Sequence, residues 1–305
     1  MNRPHRQEPL RIATRSSALA MAQARSVAEA LPAPTELVGI STRADRSAGP
    51  LADIGGKGLF TAELEAALRR RELHLAVHSA KDLPADMPDD LVIAAVPPRQ
   101  DPRDAIVSPG GRLPADLPAG ARVGTSSLRR SCQVRSVRPE AVVVPLRGNV
   151  ETRLGKLHEG QCDAVVLALA GLNRLGLTDG LGGSLRPLDA ETFVPAAGQG
   201  ALAVQCLADD AATRDLLAAL NNPDSAAALD AERTVVRRLG ATCHSAVGVH
   251  VCRAGGGWSA RGFVSRPDAA VVVRAAAEGE TAQAAAEDLL DRLTAAGALD
   301  LLGGG

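Results

Sequence analysis

The feature that most restricts this chain is a rhythm. Over its first two thirds, short apolar runs alternate with amphipathic stretches of helical period. "LRIAT" reads as a strand and "SALAMAQARSVAEAL" as the helix after it; "GLFTAELEAALRRRE" places Phe60, Leu64, Ala67 and Leu68 on one helical face. "HLAVHSA", "LVIAAV", "ARVGTSS" and "AVVVPLR" read as further strands, and "DAVVLALAG" is apolar throughout, as a strand covered on both faces is. Strand, helix, strand in repetition predicts largely parallel sheets with helices on both sides. After residue 221 the pattern changes. One helix, "SAAALDAERTVVRRLG", is followed by "ATCHSAVGVHVCRA", "WSARGFVS" and "AAVVVRAAA", then a closing helix. Consecutive strands and a helix predict a smaller α+β domain.

At 305 residues the chain exceeds what one core supports. Two or three domains are expected, with breaks near residues 97–105 and 221–225. Only four residues are aromatic (three Phe, one Trp, no Tyr), so aliphatic side chains must build the cores. That scarcity, with a net charge of −1, argues against a nucleic-acid partner, which would want a basic face and stacking rings. The five cysteines form no C-x-x-C pair and read as reduced thiols of a cytoplasmic protein. The sequence starts without the apolar run of a signal peptide, and no stretch suits a transmembrane helix; no membrane partner and no metal are expected.

Against that neutral background "VGTSSLRRSCQVRSVRP" (123–139) gathers four arginines. Thr125, Ser126 and Ser127 fall where a strand meets a helix start, where free N–H groups and hydroxyls face outward. Arg129 and Arg130 follow in the first turn. Arg147 ends the next strand, and Arg153 lies in the first turn of a helix for which Asn149 is the expected N-cap. Taken singly, each arginine reads as a solvated helix face. As a cluster at strand ends they read as an anion site, since cations at a helix N-terminus oppose its dipole and need a negative partner. "VHSAKDLP" (77–84) sets His78, Ser79, Lys81 and Asp82 at a strand end, either a surface ion pair or a carboxylate placed for proton transfer or charge stabilisation. "GGKGLF" (55–60) is a loop that either cradles an anion through Lys57 or merely connects; it lacks the Walker spacing. Cys243, between a helix and a strand, is either an ordinary small apolar residue or an exposed nucleophile.

"LRIATRSSALA", "GGKGLFTAELEAAL", "AVHSAKDLP", "DPRDA", "VGTSSLRR", "LRGNVETRL", "AGLNRLGL", "PAAGQGA" and "AERTVVRRLGATC" occur in an order that resembles the porphobilinogen deaminase family. The resemblance implies two α/β domains like those of periplasmic binding proteins, residues 1–98 with 197–219 and residues 99–196, plus a smaller α+β domain over 220–305. It implies a monomeric transferase that joins four porphobilinogen molecules head to tail on a covalent dipyrromethane cofactor, releasing ammonia. It assigns the cofactor thioether to Cys243 and the catalytic carboxylate to Asp82. Cofactor binding falls to Lys81, Asp82, Thr125, Ser127, Arg129, Arg130 and Arg147, and substrate binding to Arg15, Ser17, Arg153, Arg174, Lys57 and Phe60. Two features depart from the family's pattern: Asp53 stands where a basic residue is common, and "ATCHSAVG" puts His244 directly after the cysteine. The competing expectation is a two-lobed protein that binds an organic anion without chemistry.

Overall fold

The computed structural model describes residues 8–43, 61–242 and 245–302. The chain divides into two compact units, Met1–Arg99 with Ala201–Ala226, and Gln100–Gly200 with Ala227–Gly305.

The first unit opens with β1 (Leu10–Arg15), α1 (Ala18–Ala30), β2 (Thr35–Ile40), α2 (Ala62–Arg69), β3 (Leu75–Ser79) and β4 (Leu91–Ala95). Side chains alternate across a strand, so β1 feeds two cores. Leu10 and Ile12 pack with Ala24 and Val27 of α1, while Ala13 packs with Leu64, Ala67 and Leu68 of α2. Helices thus cover both faces, as the apolar runs require. Each fully buried Leu or Ile here contributes about 1.5–3 kcal/mol.

The second unit begins with β5 (Asp104–Val107), β6 (Arg122–Gly124), α3 (Leu128–Val137), β7 (Val142–Val144), α4 (Val150–His158), β8 (Ala164–Ala168), α5 (Leu169–Arg174), α6 (Thr178–Leu181) and β9 (Leu185–Pro187). The same alternation operates. Ile106, Val123 and Val166 pack against Val134 of α3, and Ala105, Val107, Val165 and Leu167 against Leu154 of α4 and Leu172 of α5. The chain then returns to the first unit through β10 (Leu202–Leu207) and α7 (Ala211–Leu217). It continues along α8 (Pro223–Arg238) to β11 (Ala246–Ala254), β12 (Gly257–Ser265), β13 (Val272–Gly279) and α9 (Ala282–Ala295). Those last strands form an antiparallel sheet whose core residues Val249, Val251 and Ala260 meet Val235 of α8 and Leu289 and Leu293 of α9. Its other face, through Ala246 and Phe263, packs on Cys132 and Val194.

The expected α/β plan with a smaller α+β portion is present, with one refinement. Both large sheets are mixed rather than mainly parallel, in the orders β2-β1-β3-β10-β4 and β7-β6-β8-β5-β9. Strands joined by helices run parallel: β1 with β2 and β3, β6 with β7 and β8. β10 runs antiparallel to β3 and β4, and β5 antiparallel to β8 and β9. The physical reason is connectivity. β10 and β5 arrive from the other unit's segment of chain, not through a helical crossover, so the right-handed βαβ rule does not act on them.

Candidate functional site

In the first unit the carboxyl ends of the parallel strands β1 and β3 carry the predicted groups. Ser17 caps α1, its Oγ accepting from Ala20 N at 3.3 Å. Thr14 is fully buried and donates to the Ala20 carbonyl at 3.1 Å, which ties β1 to that helix start. β3 runs into a 3₁₀ turn, Ala80–Asp82, that presents Lys81 and Asp82, both partly exposed. Arg15 Nη1 lies 3.9 Å from Asp82 Oδ2. Arg15, Ser17, Lys81 and Asp82 are therefore neighbours by topology, and Asp82 is a reachable carboxylate among cations.

Two buried pairs hold this end of the sheet. Ser79 Oγ donates to Gln23 Oε1 at 3.1 Å. The His78 imidazole meets Gln205 Oε1 of β10 at 3.0 Å. Burial drives the His78 pKa down to about 4 against the opposing Gln205 hydrogen bond, and the Arg15 charge adds to the lowering, so the ring is neutral at pH 7.

The second unit builds its site where β6 turns into α3. Thr125 Oγ1 accepts from Ser127 N at 3.2 Å, and Ser127 is the N-cap, with Oγ 3.5 Å from Arg130 N. Ser126 Oγ donates to the Leu146 carbonyl at 2.9 Å, joining this turn to the loop after β7. Asn149 caps α4 as expected, accepting from Thr152 N at 2.8 Å. Arg153 Nε donates to the Gly148 carbonyl at 2.8 Å and Lys156 Nζ to the Arg147 carbonyl at 3.0 Å. Gly148 has φ +115°, and a Cβ there would sit 2.6 Å from Thr152 Cγ2, so the turn needs glycine.

Arg129 and Arg130 are only 4% and 6% exposed. Between them lies Asp104, fully buried at the start of β5. Arg129 donates through Nη1 at 2.7 Å and Nη2 at 3.3 Å to its two oxygens, and Arg130 through Nε at 3.0 Å. Gln199 Nε2 adds a fourth bond at 2.8 Å. Burial alone would raise the Asp104 pKa; the two guanidinium charges outweigh it and hold the carboxyl well below the usual carboxylate range. The negative partner that a cationic helix start requires is thus supplied in part from inside the protein. Arg129 also donates to the Val194 carbonyl at 2.7 Å, so three of its five N–H groups are engaged and two have no acceptor among the described residues.

Arg174 has no such acid. Its Nη2 donates to the Gly200 carbonyl at 2.8 Å, and no carboxylate of the described residues lies within ion-pair distance. Burial lowers its pKa to about 10, still charged at pH 7. Gly200 adopts φ +87°, with room for no Cβ, since the Gln100 carbonyl oxygen would be 2.4 Å away. A desolvated guanidinium with no carboxylate partner among the described residues suits a ligand rich in carboxylates.

Sequence reasoning passed over Asp104, Gln199 and Glu232. Glu232, fully buried in α8, accepts from Gly198 N at 2.6 Å and Val251 N at 2.8 Å and so clamps the 194–200 turn that carries Gln199. Its sequence signal was an acid set among Ala228, Leu229, Ala231 and Val235. Lys57, Phe60, Asp53, Cys243 and His244 lie outside the described residues. On either side of the last two, Ser245 N donates to the Thr242 carbonyl at 3.0 Å.

Comparison with known proteins adds to this geometry. A family model described as "Porphobilinogen deaminase, dipyromethane cofactor binding domain" matches residues 10–215. A protein called porphobilinogen deaminase from Syntrophobacter fumaroxidans is 46% identical over 281 residues, 90% of this chain and 90% of its own. Proteins of the same name from Chromobacterium violaceum and Sorangium cellulosum are 45% identical over 299 residues (95% of this chain, 96% of that protein) and 46% over 272 (87% and 90%).

Proposed function

The chain belongs to the porphobilinogen deaminase family, and on that premise we propose that it condenses four porphobilinogen molecules head to tail. Ammonia leaves at each step, and the product is linear hydroxymethylbilane for tetrapyrrole synthesis. The observation that carries this reading is Asp82, a partly exposed carboxylate at a strand end 3.9 Å from a guanidinium.

The cofactor implied by the family is a dipyrromethane. Its acetate and propionate groups fit the donor set described: the N–H groups of Arg129 that meet no acceptor among the described residues, and the hydroxyls of Thr125 and Ser127. Lys81, Arg130 and Arg147 complete the set, and Cys243 would hold the group through a thioether. When bound, the dipyrromethane would supply the electron-rich pyrrole carbon to which the first unit is joined. Asp82 accepts the N–H of the substrate pyrrole and stabilises the positive charge that spreads over that ring as ammonia leaves. Arg15, Ser17, Arg153 and Arg174 offer donors to the substrate carboxylates, with Lys57 and Phe60 assigned beside them. Fixed donors orient the reacting carbons and so remove much of the entropic barrier. Neutral His78, buried on the strand that leads into the Asp82 turn, adds no competing charge.

The three sheets support a reading as three domains, residues 1–98 with 197–219, 99–196 and 220–305. We assign the protein to the cytoplasm as a monomer; no helix of the described residues is long and apolar enough to cross a membrane.

The intact mass of the purified chain tests this proposal. It is expected to exceed the sequence mass by two linked pyrrole units, and Cys243→Ser is expected to remove the increment. Asp82→Ala should keep the increment while turnover drops about 10²–10³-fold, as for loss of a charge-stabilising group. A bare mass in active preparations removes the covalent cofactor from the reading, near-normal turnover in Asp82→Ala removes that carboxylate, and anion binding without ammonia release favours a binding protein.

A further inference from the structure

Four cysteines are described, and three belong to cores. Cys132, Cys162 and Cys206 are buried, and burial pushes each thiol pKa up, that of Cys206 to about 11. Cys252 differs in place and in company. It is partly exposed on β11, two residues after His250, so the two side chains share one face of the strand. The thiol and the imidazole are hydrogen-bonded.

The imidazole is itself held. His250 is 8% exposed, and its Nδ1 lies 3.4 Å from Glu232 Oε1. Glu232 cannot swing away, because the Gly198 and Val251 N–H groups fix both its oxygens. Arg261, which pairs with Glu191, stands opposite His250 on β12, and its charge influences the thiol; Asp101, bonded to Arg103, lies within electrostatic reach of the imidazole. The order is thus thiol, imidazole, buried carboxylate, the order that activates sulfur nucleophiles. The His250 hydrogen bond is the largest influence on the thiol and lowers its pKa; desolvation and the Glu232 charge oppose it, and the Arg261 charge assists. Nothing in the proposed condensation uses Cys252, whose position differs from that of the cofactor cysteine.

We propose that Cys252 is a second reactive thiol of this chain, a covalent modification site for small, soft carbon electrophiles, aligned by His250 and Glu232. In the step its sulfur attacks an electrophilic carbon, the C–S bond forms as the leaving group departs with its electron pair, and the thiol proton passes to His250. The site stands independently of the condensation reading, since its evidence lies on β11, β12 and α8 alone.

A brief pulse of iodoacetamide on the native full chain, followed by peptide mass mapping, tests this without any variant. Iodide is the leaving group, and Cys243 is read on its own peptide. The Cys252 peptide is expected to be alkylated about tenfold or more ahead of those of Cys132, Cys162 and Cys206, a preference that unfolding in urea abolishes. The pH midpoint of its alkylation should lie below that of the unfolded chain. In His250→Gln the midpoint should rise and the neutral-pH rate fall about tenfold. Labelling of Cys252 no faster than the buried three, or a rate and midpoint unmoved by His250→Gln, overturns the proposal.

Discussion

Asp104→Asn is the most informative single change, because it keeps the shape of a fully buried side chain and removes only its charge. In the wild type the carboxylate receives four hydrogen bonds, two from Arg129, one from Arg130 and one from Gln199. An asparagine retains one acceptor oxygen and turns an NH₂ group toward guanidinium donors. Two cations exposed by only 4% and 6% then share no counter-charge. Removing one partner of a buried ion pair costs about 3–5 kcal/mol. Here two cations are stranded, which raises the cost, while the surviving carbonyl lowers it, so we expect about 3–5 kcal/mol. That is a third or more of the stability of an ordinary domain. Urea unfolding at pH 7, followed by far-ultraviolet circular dichroism, measures it. The pH dependence checks the cause. A carboxyl whose folded pKa is depressed stabilises the fold fully above the ordinary carboxylate range and loses that contribution as pH falls toward the folded value. The gap between wild type and variant should therefore be constant near neutrality and shrink below about pH 4. A loss under about 1 kcal/mol at pH 7, the size of an exposed pair, would refute the claim that Asp104 organises Arg129 and Arg130.

Two other outcomes follow from the same kind of reasoning. His78 is buried and neutral with its pKa lowered to about 4, so the unfolded chain takes up its proton first as pH falls from about 6.5. About 3 kcal/mol should disappear from the unfolding free energy by pH 4, and His78→Gln should flatten that part of the acid limb; parallel urea midpoints for the two proteins between pH 7 and 4.5 would contradict it. Arg174 is charged in both states at neutral pH yet disfavoured by burial in the folded one. Arg174→Met is expected to raise the melting temperature of ligand-free protein while weakening porphobilinogen turnover, and a lower melting temperature would show that its bond to Gly200 outweighs the desolvation.

The α/β plan was legible because period 2 and period 3.6 are local signals. Leu10, Ile12 and Ala13 announce a two-sided strand without reference to the rest of the chain. The antiparallel placement of β10 and β5 was not, since it depends on where the chain re-enters a sheet after a long excursion. The N-cap Asn149 and the helix start at Ser127 could be read from two or three residues each. The geometry of Arg129 and Arg130 could not, because a sequence shows that a helix start is cationic but not which of 35 acidic residues will neutralise it. Asp104 stood in "DPRDA" beside Asp101, which makes an ordinary contact with Arg103 two residues away. Only the fold separates the two aspartates.

That separation bears on how a chain with 34 basic residues makes so few into an anion site. Several described arginines are neutralised at the surface by acids close in sequence or space, as Arg69 is by Asp90 and Arg122 by Asp163. Arg129 and Arg130 share one buried carboxylate between two charges, which leaves an excess of one positive charge fixed in direction at a helix start. Arg174 has no acidic partner among the described residues. An acidic ligand binds where folding has left charge uncompensated. Each such charge opposes the folded state until the ligand arrives, so a loaded protein should resist unfolding better than an empty one. The sizes of those two effects are linked, because the same guanidinium groups produce both.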